Sequence, residues 1–242
     1  MNFIIKFILF NRLNCVFYNI LCIYMTDFSF VCSLGPQCHS TNILRRLNLK
    51  RESYPFDWIF SNLKNVEHAI RDDFKIFLDA TYYTNPDVLS KTQQHSYYFQ
   101  NGASMFNHHN PLNKKHYDYF VRSVNRFNSL IIEKEYKLFV FTYINLEISV
   151  FTDIQKKIQG FKKFFDSVVI NYKILVILHF ISDSQGHIFN IIDNIDFLLL
   201  STKSKSNGCE FIDFSDNIYL DTAILSKYTF NIKKLIPTII TL

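Results

Sequence analysis

Cys38 stands two residues after a Gly35-Pro36 step, where the apolar run "FSFVCSL" (28–34) ends and a helix is set to begin. In sulfur chemistry the nucleophile is the thiolate. The unpaired N–H groups of a helix start carry about half a positive charge, which favours that ionised form. A neighbouring histidine favours it further and can shuttle the proton. His39 is adjacent in sequence, but on a helix it points about 100° away. The histidines best placed to serve are His108 and His109 in "SMFNHHNP", after a weak strand signal and before Asn110-Pro111. A thiol followed by an imidazole on a separate element is the order of a Cys–His hydrolase. His68, His95 and His116 lie in polar stretches that read as exposed. His179 sits inside an apolar strand and reads as a satisfied core imidazole, and His187 falls at a turn.

An imidazole acting as a base needs a third group to orient it. Asp57 in "YPFDW" is the carboxylate most tightly framed by bulky apolar neighbours, with Asn107, Asn110, Asp213 and Asp216 as alternatives. Asp57 also reads as a plain turn or N-cap residue. Gln37 could donate its side-chain amide to an oxyanion beside the N–H of Cys38, with Gly35 on the same loop. On residue chemistry alone, a buried structural cysteine is the favoured reading of Cys38. The adjacent His108-His109 pair lacks the i,i+4 spacing of a helical metal site, and no HExxH or paired Cys/His set occurs. No metal and no cofactor are expected.

These residues need elements to carry them. Residues 28–34 read as a buried strand and 36–48 as a helix, with Ile43, Leu44 and Leu47 at helical spacing. Pro55 fixes a turn, Trp58, Ile59 and Leu63 suggest a short helix, and 65–78 a further one. The pattern Tyr117, Phe120, Val121, Val124, Phe127, Leu130, Ile131 predicts an amphipathic helix over 114–135. Beyond it, 137–144 and 173–181 read as strands around a helix at 149–166. "HIFNII" and "DFLLLST" read as short strands, and "CEFIDFSDNIYLDTAIL" as an extended stretch before a turn or helix. Strand–helix–strand alternation points to an α/β fold with a mixed, partly parallel sheet flanked by helices. No interior linker marks a boundary, so 25–242 is expected to form one domain.

Composition narrows the function classes. Apolar residues make up 48% and charged residues 19%, a globular balance, and five glycines are too few for a repeat or a glycine-rich phosphate loop. The net charge of +5 is dispersed; its densest cluster, Arg45, Arg46, Lys50 and Arg51, reads as a solvated helix face. No nucleic-acid signature is found, and no nucleic-acid partner is predicted. The five cysteines have irregular spacing and no CxxC, unlike a secreted disulfide framework, which points to a reducing, cytoplasmic setting.

Residues 1–24, "MNFIIKFILFNRLNCVFYNILCIY", are apolar but interrupted by Lys6, Asn11, Arg12, Asn14 and Asn19. An Arg at the centre of a spanning helix costs about 2.5–3.5 kcal/mol. The segment is read as an extension outside the fold. Membrane contact follows only if it acts as an anchor.

The stretch "SLGPQCHSTNILRRLNLKRESYPFDWIFSN" resembles the opening signature of a family of papain-like cysteine peptidases of unknown function, found in bacteria and large DNA viruses. The likeness runs on through "FNHHNP", "RSVNRFNSLI" and "SNGCEFIDFSDNIYLD", over roughly residues 28–230. It implies a Cys–His peptidase or related acyl-transfer enzyme acting on a peptide or acyl substrate. Cys38 matches the nucleophile and one of His108 and His109 the base. It also implies the host cytoplasm if the source is viral, and a papain-like α+β fold as the alternative to α/β.

Two functional readings result. One is a thiol hydrolase or transferase. The other is a non-enzymatic α/β module holding a phosphate or sugar-phosphate on the "SLGPQ" loop and helix N-terminus. An imidazole close to Cys38 separates them.

Overall fold

A five-stranded sheet organises the chain, and period-two alternation along its strands sends apolar side chains to both faces. The computed structural model describes residues 27–84, 94–98 and 105–231. In chain order, β1 (Asp27–Phe28) and β2 (Phe30–Gly35) lead into α1 (Cys38–Arg46). Helices α2 (Leu63–Arg71) and α3 (Lys75–Leu78), then the short strands β3 (Tyr83–Thr84) and β4 (Gln94–His95), precede α4 (Lys114–Ile132). The second half runs β5 (Lys137–Leu146), α5 (Phe151–Phe165), β6 (Tyr172–Ile181), β7 (Gly186–Ile192), β8 (Ile195–Thr202), α6 (Phe214–Lys227) and β9 (Thr229–Phe230).

The sheet order is β2-β5-β6-β8-β7. The first four strands are parallel, and β7 pairs antiparallel with β8 at one edge. This is the mixed α/β single domain read from the alternation of elements, not a helical lobe against an antiparallel β-lobe. The central strands read as continuous apolar runs because both of their faces are covered. Cys32, Leu34, Phe139, Phe141, Ile174 and Val176 pack under α2, α4 and α5. Val31, Leu138, Val140, Leu175, Ile177 and Leu198 pack under α1 and α6. Helix α1 therefore shares its face with α6, and the loop that enters α6 passes over the start of α1.

Two expectations are corrected. The helix read over 65–78 breaks at Asp72–Phe74, where Asp73 and Phe74 take positive φ of 55° and 57°. The bend buries Phe74 against Phe56 and Phe127, while Asp72 accepts from the N–H of Ile76 at 2.9 Å to start the next turn. The short helix around Trp58–Leu63 is instead a turn; Asn62 then caps α2, accepting from the N–H of Asn65 at 2.9 Å. The N-terminal extension and the end of the chain beyond 231 lie outside the described residues. Among the described residues, no helix is long and apolar enough to cross a membrane.

Candidate active site

Strand β2 delivers the chain to α1 through Gly35, whose φ of +90° suits only glycine. A Cβ there would sit 2.3 Å from Ser61 Oγ, so the "SLGPQ" loop is closed over by the 61 region. Ser61 also donates its N–H to Pro36 O at 2.9 Å. Gln37 is the extended N-cap residue of α1 and makes no side-chain cap bond. Its Oε1 lies instead against Gly208, where a Cβ would come within 3.3 Å of it. Cys38 is the first helical residue, buried, with its own backbone N–H near its sulfur.

Three side chains from distant parts of the chain converge here. Cys38 Sγ, a ring nitrogen of His108 and Cys209 Sγ all lie within 4.8 Å of one another. His108 and Cys209 border a cavity of about 440 Å³ that is lined also by Asn42, Arg45, Trp58, His109 and Glu210, with Cys38 buried beside them. Trp58 packs edge-on to His108, with centroids 5.8 Å apart, and the Arg45 guanidinium lies 5.8 Å above the Trp58 ring.

The loop bearing Cys209 is fastened on several sides. Asn42, one helical turn beyond Cys38, donates its side-chain amide to Cys209 O at 3.1 Å. Asn145, just past the regular part of β5, bonds the backbone of Ser206 twice, accepting from its N–H at 2.9 Å and donating to its carbonyl at 2.8 Å. His39 Nδ1 meets Ser206 Oγ at 2.8 Å, and that oxygen also accepts from the N–H of Gly208 at 3.1 Å. Asn217 on α6 closes the far side, accepting from Phe211 N–H at 3.0 Å and donating to Phe211 O at 2.9 Å. The Phe211 ring then packs against His39 and His179, with centroids at 4.8 and 4.6 Å.

His179 is a satisfied core imidazole, as read from the strand around it. Its Nδ1 accepts from Asn145 N–H at 3.0 Å, which leaves Nε2–H to donate to Thr202 Oγ1 at 2.7 Å. Burial holds both rings neutral, pulling His39 down to about 3 and His179 to about 4.

The expected low pKa of the Cys38 thiol is overturned. It is pushed up to about 12, chiefly by burial, then by the charge and hydrogen bond of Cys209; its own backbone N–H opposes this without overcoming it. The resting side chain is a neutral thiol. His108 lies at the cavity beside it. His109 also lines the cavity but is not part of the Cys38 cluster; its ring stacks on Tyr119 at 4.3 Å and lies edge-on to His116 at 5.2 Å.

Asp57 does not reach an imidazole. It is buried against Lys50, accepts from Tyr54 N–H at 2.7 Å, and takes a longer bond from Thr41 at 3.3 Å. Burial raises its pKa while those partners pull it back. Three of the alternatives are also engaged elsewhere. Asn110 Oδ1 accepts from Leu112 N–H, Asp213 caps α6, and Asp216 accepts from Gln185 and Ser204. The basic cluster is a solvated face only in part: Arg45 and Arg51 are exposed, and the other two are paired. Arg46 pairs with Asp221 through two nitrogens, Lys50 pairs with Asp57, and Arg45 lines the cavity. His95, read as exposed, is buried and bonds Ile76 O at 2.9 Å.

Spacing gave no metal-ligand set, yet the fold assembles two thiols and an imidazole. Sequence reasoning missed Cys209 because it lies in a polar loop far along the chain from Cys38. The one signal was its place in the quoted "SNGCEFIDFSD" block.

A mixed α/β sheet thus carries a thiol on the first turn of the helix that follows β2, close to an imidazole and a second thiol. The chain belongs to the family described as "Putative papain-like cysteine peptidase", whose pattern matches residues 29–181, more than half of its length. Cys38 and His108 fall inside the matched stretch and Cys209 beyond it. No curated protein and no solved structure matches the chain.

Proposed function

We propose that the protein is a thiol-dependent acyl hydrolase or transferase of the cysteine-peptidase type, with Cys38 as nucleophile and His108 as proton shuttle. The observation that carries this is the placement of Cys38 Sγ, at the first residue of α1, within 4.8 Å of the His108 ring at the border of the cavity. The closed packing of the "SLGPQ" loop against Ser61 favours this reading over a phosphate-holding module.

Because burial keeps the thiol neutral, His108 removes its proton as sulfur attacks the acyl carbon, acting as a general base. A thioester forms and the leaving amine takes the proton back from His108. Water or an acceptor amine then releases the acyl group. The N–H of Cys38, with the Gln37 amide beside it, faces the developing oxyanion. Asp57 supports this arrangement from a distance, by holding the turn that carries Trp58 against His108.

Intact-mass detection of an acyl adduct after incubation with activated acyl esters tests the proposal. Wild type is expected to acylate at Cys38 faster than the same cysteine in the urea-unfolded chain, and His108→Gln about 10²–10⁴-fold more slowly than wild type. Acylation at the unfolded-chain rate, or an unchanged rate in His108→Gln, overturns it.

A further inference from the structure

The Cys209 loop is held by more polar side chains than a solvent loop needs. Asn42, Asn145, His39 and Asn217 each bond it, and they come from α1, the end of β5 and α6. The result of that scaffold is a second thiol beside Cys38 and His108. We propose that Cys38, His108 and Cys209 form a binding site for a soft divalent metal ion of the zinc class, and that occupancy switches off Cys38 as a nucleophile.

The donor chemistry suits the ion. Two thiolates and one imidazole are soft-to-borderline ligands that select zinc over magnesium or calcium. Tetrahedral bonds of about 2.3 Å to sulfur and about 2.0–2.1 Å to nitrogen set the donor atoms about 3.5–3.8 Å apart. The three donors already lie within 4.8 Å of one another, so they close by about 1.3 Å at most. Rotation of the cavity-lining His108 ring and the Cys209 side chain can supply that movement while the clamped backbone stays in place. Three protein ligands leave a fourth position, which faces the cavity and takes water.

Binding forms two metal–sulfur bonds and one metal–nitrogen bond, and the two thiols release their protons to solvent. The sulfur lone pair and the imidazole nitrogen are then both committed to the ion, so attack and proton transfer stop together. The switch rests on the nucleophile assignment above; the binding site does not.

Full-length protein, stripped with chelator and kept in a non-coordinating phosphine reductant, is titrated with Co²⁺. The expected result is a thiolate-to-cobalt charge-transfer band with the intense visible bands of a tetrahedral field, saturating at one equivalent and bleached by Zn²⁺. Cys209→Ser and His108→Gln are expected to weaken both sets of bands at the same cobalt concentration. The absence of a charge-transfer band in wild type, or a spectrum unchanged in Cys209→Ser, overturns the site. One equivalent of Zn²⁺ is expected to protect Cys38 from alkylation at alkaline pH, with chelator restoring reactivity; alkylation unaffected by saturating Zn²⁺ overturns the switch. A cobalt spectrum without acylation would leave the site standing and remove the enzyme reading, whereas acylation without a cobalt spectrum would do the reverse.

Discussion

The Asn42 side chain donates to the carbonyl of Cys209 at 3.1 Å, and Asn42 lies one helical turn beyond Cys38. The helix that carries one thiol thereby fixes the backbone of the other. After burial, which is the larger cause, the charge and hydrogen bond of the neighbouring Cys209 raise the Cys38 pKa further. Removing the second thiol has a definite sign. In Cys209→Ala the Cys38 midpoint is expected to fall from about 12, and alkylation at fixed alkaline pH to accelerate. Thiolate ultraviolet absorbance followed against pH measures it; an unchanged or higher midpoint contradicts the coupling.

The two adjacent histidines should separate cleanly. His109→Phe keeps the stacking on Tyr119 and is expected to leave Cys38 acylation within about threefold of wild type, against the 10²–10⁴-fold loss expected for His108→Gln. Equal losses at both positions would mean that the ring beside Cys38 is not the one that alone moves the proton.

Asp57 should matter through folding. Truncating one member of a buried ion pair leaves the other uncompensated, at a cost of about 3–5 kcal/mol. Asp57→Ala is therefore expected to lower denaturant stability by about that amount. In the fraction that remains folded, the acylation pH profile is expected to keep its shape. A displaced profile with undiminished stability would instead place Asp57 in the proton path.

Acid should unfold the protein through His39 and His179. Their folded-state pKa values, about 3 and about 4, lie below the ordinary 6.5, so between those limits only the unfolded chain takes up the protons. The stability they support is complete above pH 6.5 and is lost as pH falls toward 4. The slope is up to about 2.7 kcal/mol per pH unit where both rings charge only on unfolding. Urea melts across this range check it, and His179→Gln is expected to halve the slope.

Gly35→Ala brings a Cβ to 2.3 Å from Ser61 Oγ at a φ of +90°. A loss of about 1–3 kcal/mol is expected from the backbone conformation alone. Placing the change in a Ser61→Ala background is expected to recover only the steric part. A thermal midpoint equal to wild type would show that the loop relaxes freely.

Much of the frame was legible in the chain itself. The runs "KLFVFTYI" and "KILVILHFI" announce strands covered on both faces, and the 3.6-residue pattern from Tyr117 to Ile131 announces α4, because these periodicities follow from local backbone geometry. The Gly-Pro step before Cys38 marks a helix start for the same reason. The break at Asp72–Phe74 was not legible: it depends on a cluster of Phe56, Phe74 and Phe127 that local pattern cannot see.

What the sequence determined by itself was an α/β sheet and a thiol placed on a first helical turn. The tertiary structure decided the surroundings of that thiol. It set His108 rather than His109 toward it, gave Asp57 to Lys50, and swung Cys209 over from the α6 approach. Periodicity is written by neighbours along the chain, whereas a sulfur's charge state is set by whatever is packed within a few ångströms, and those atoms arrive from residues far apart in sequence.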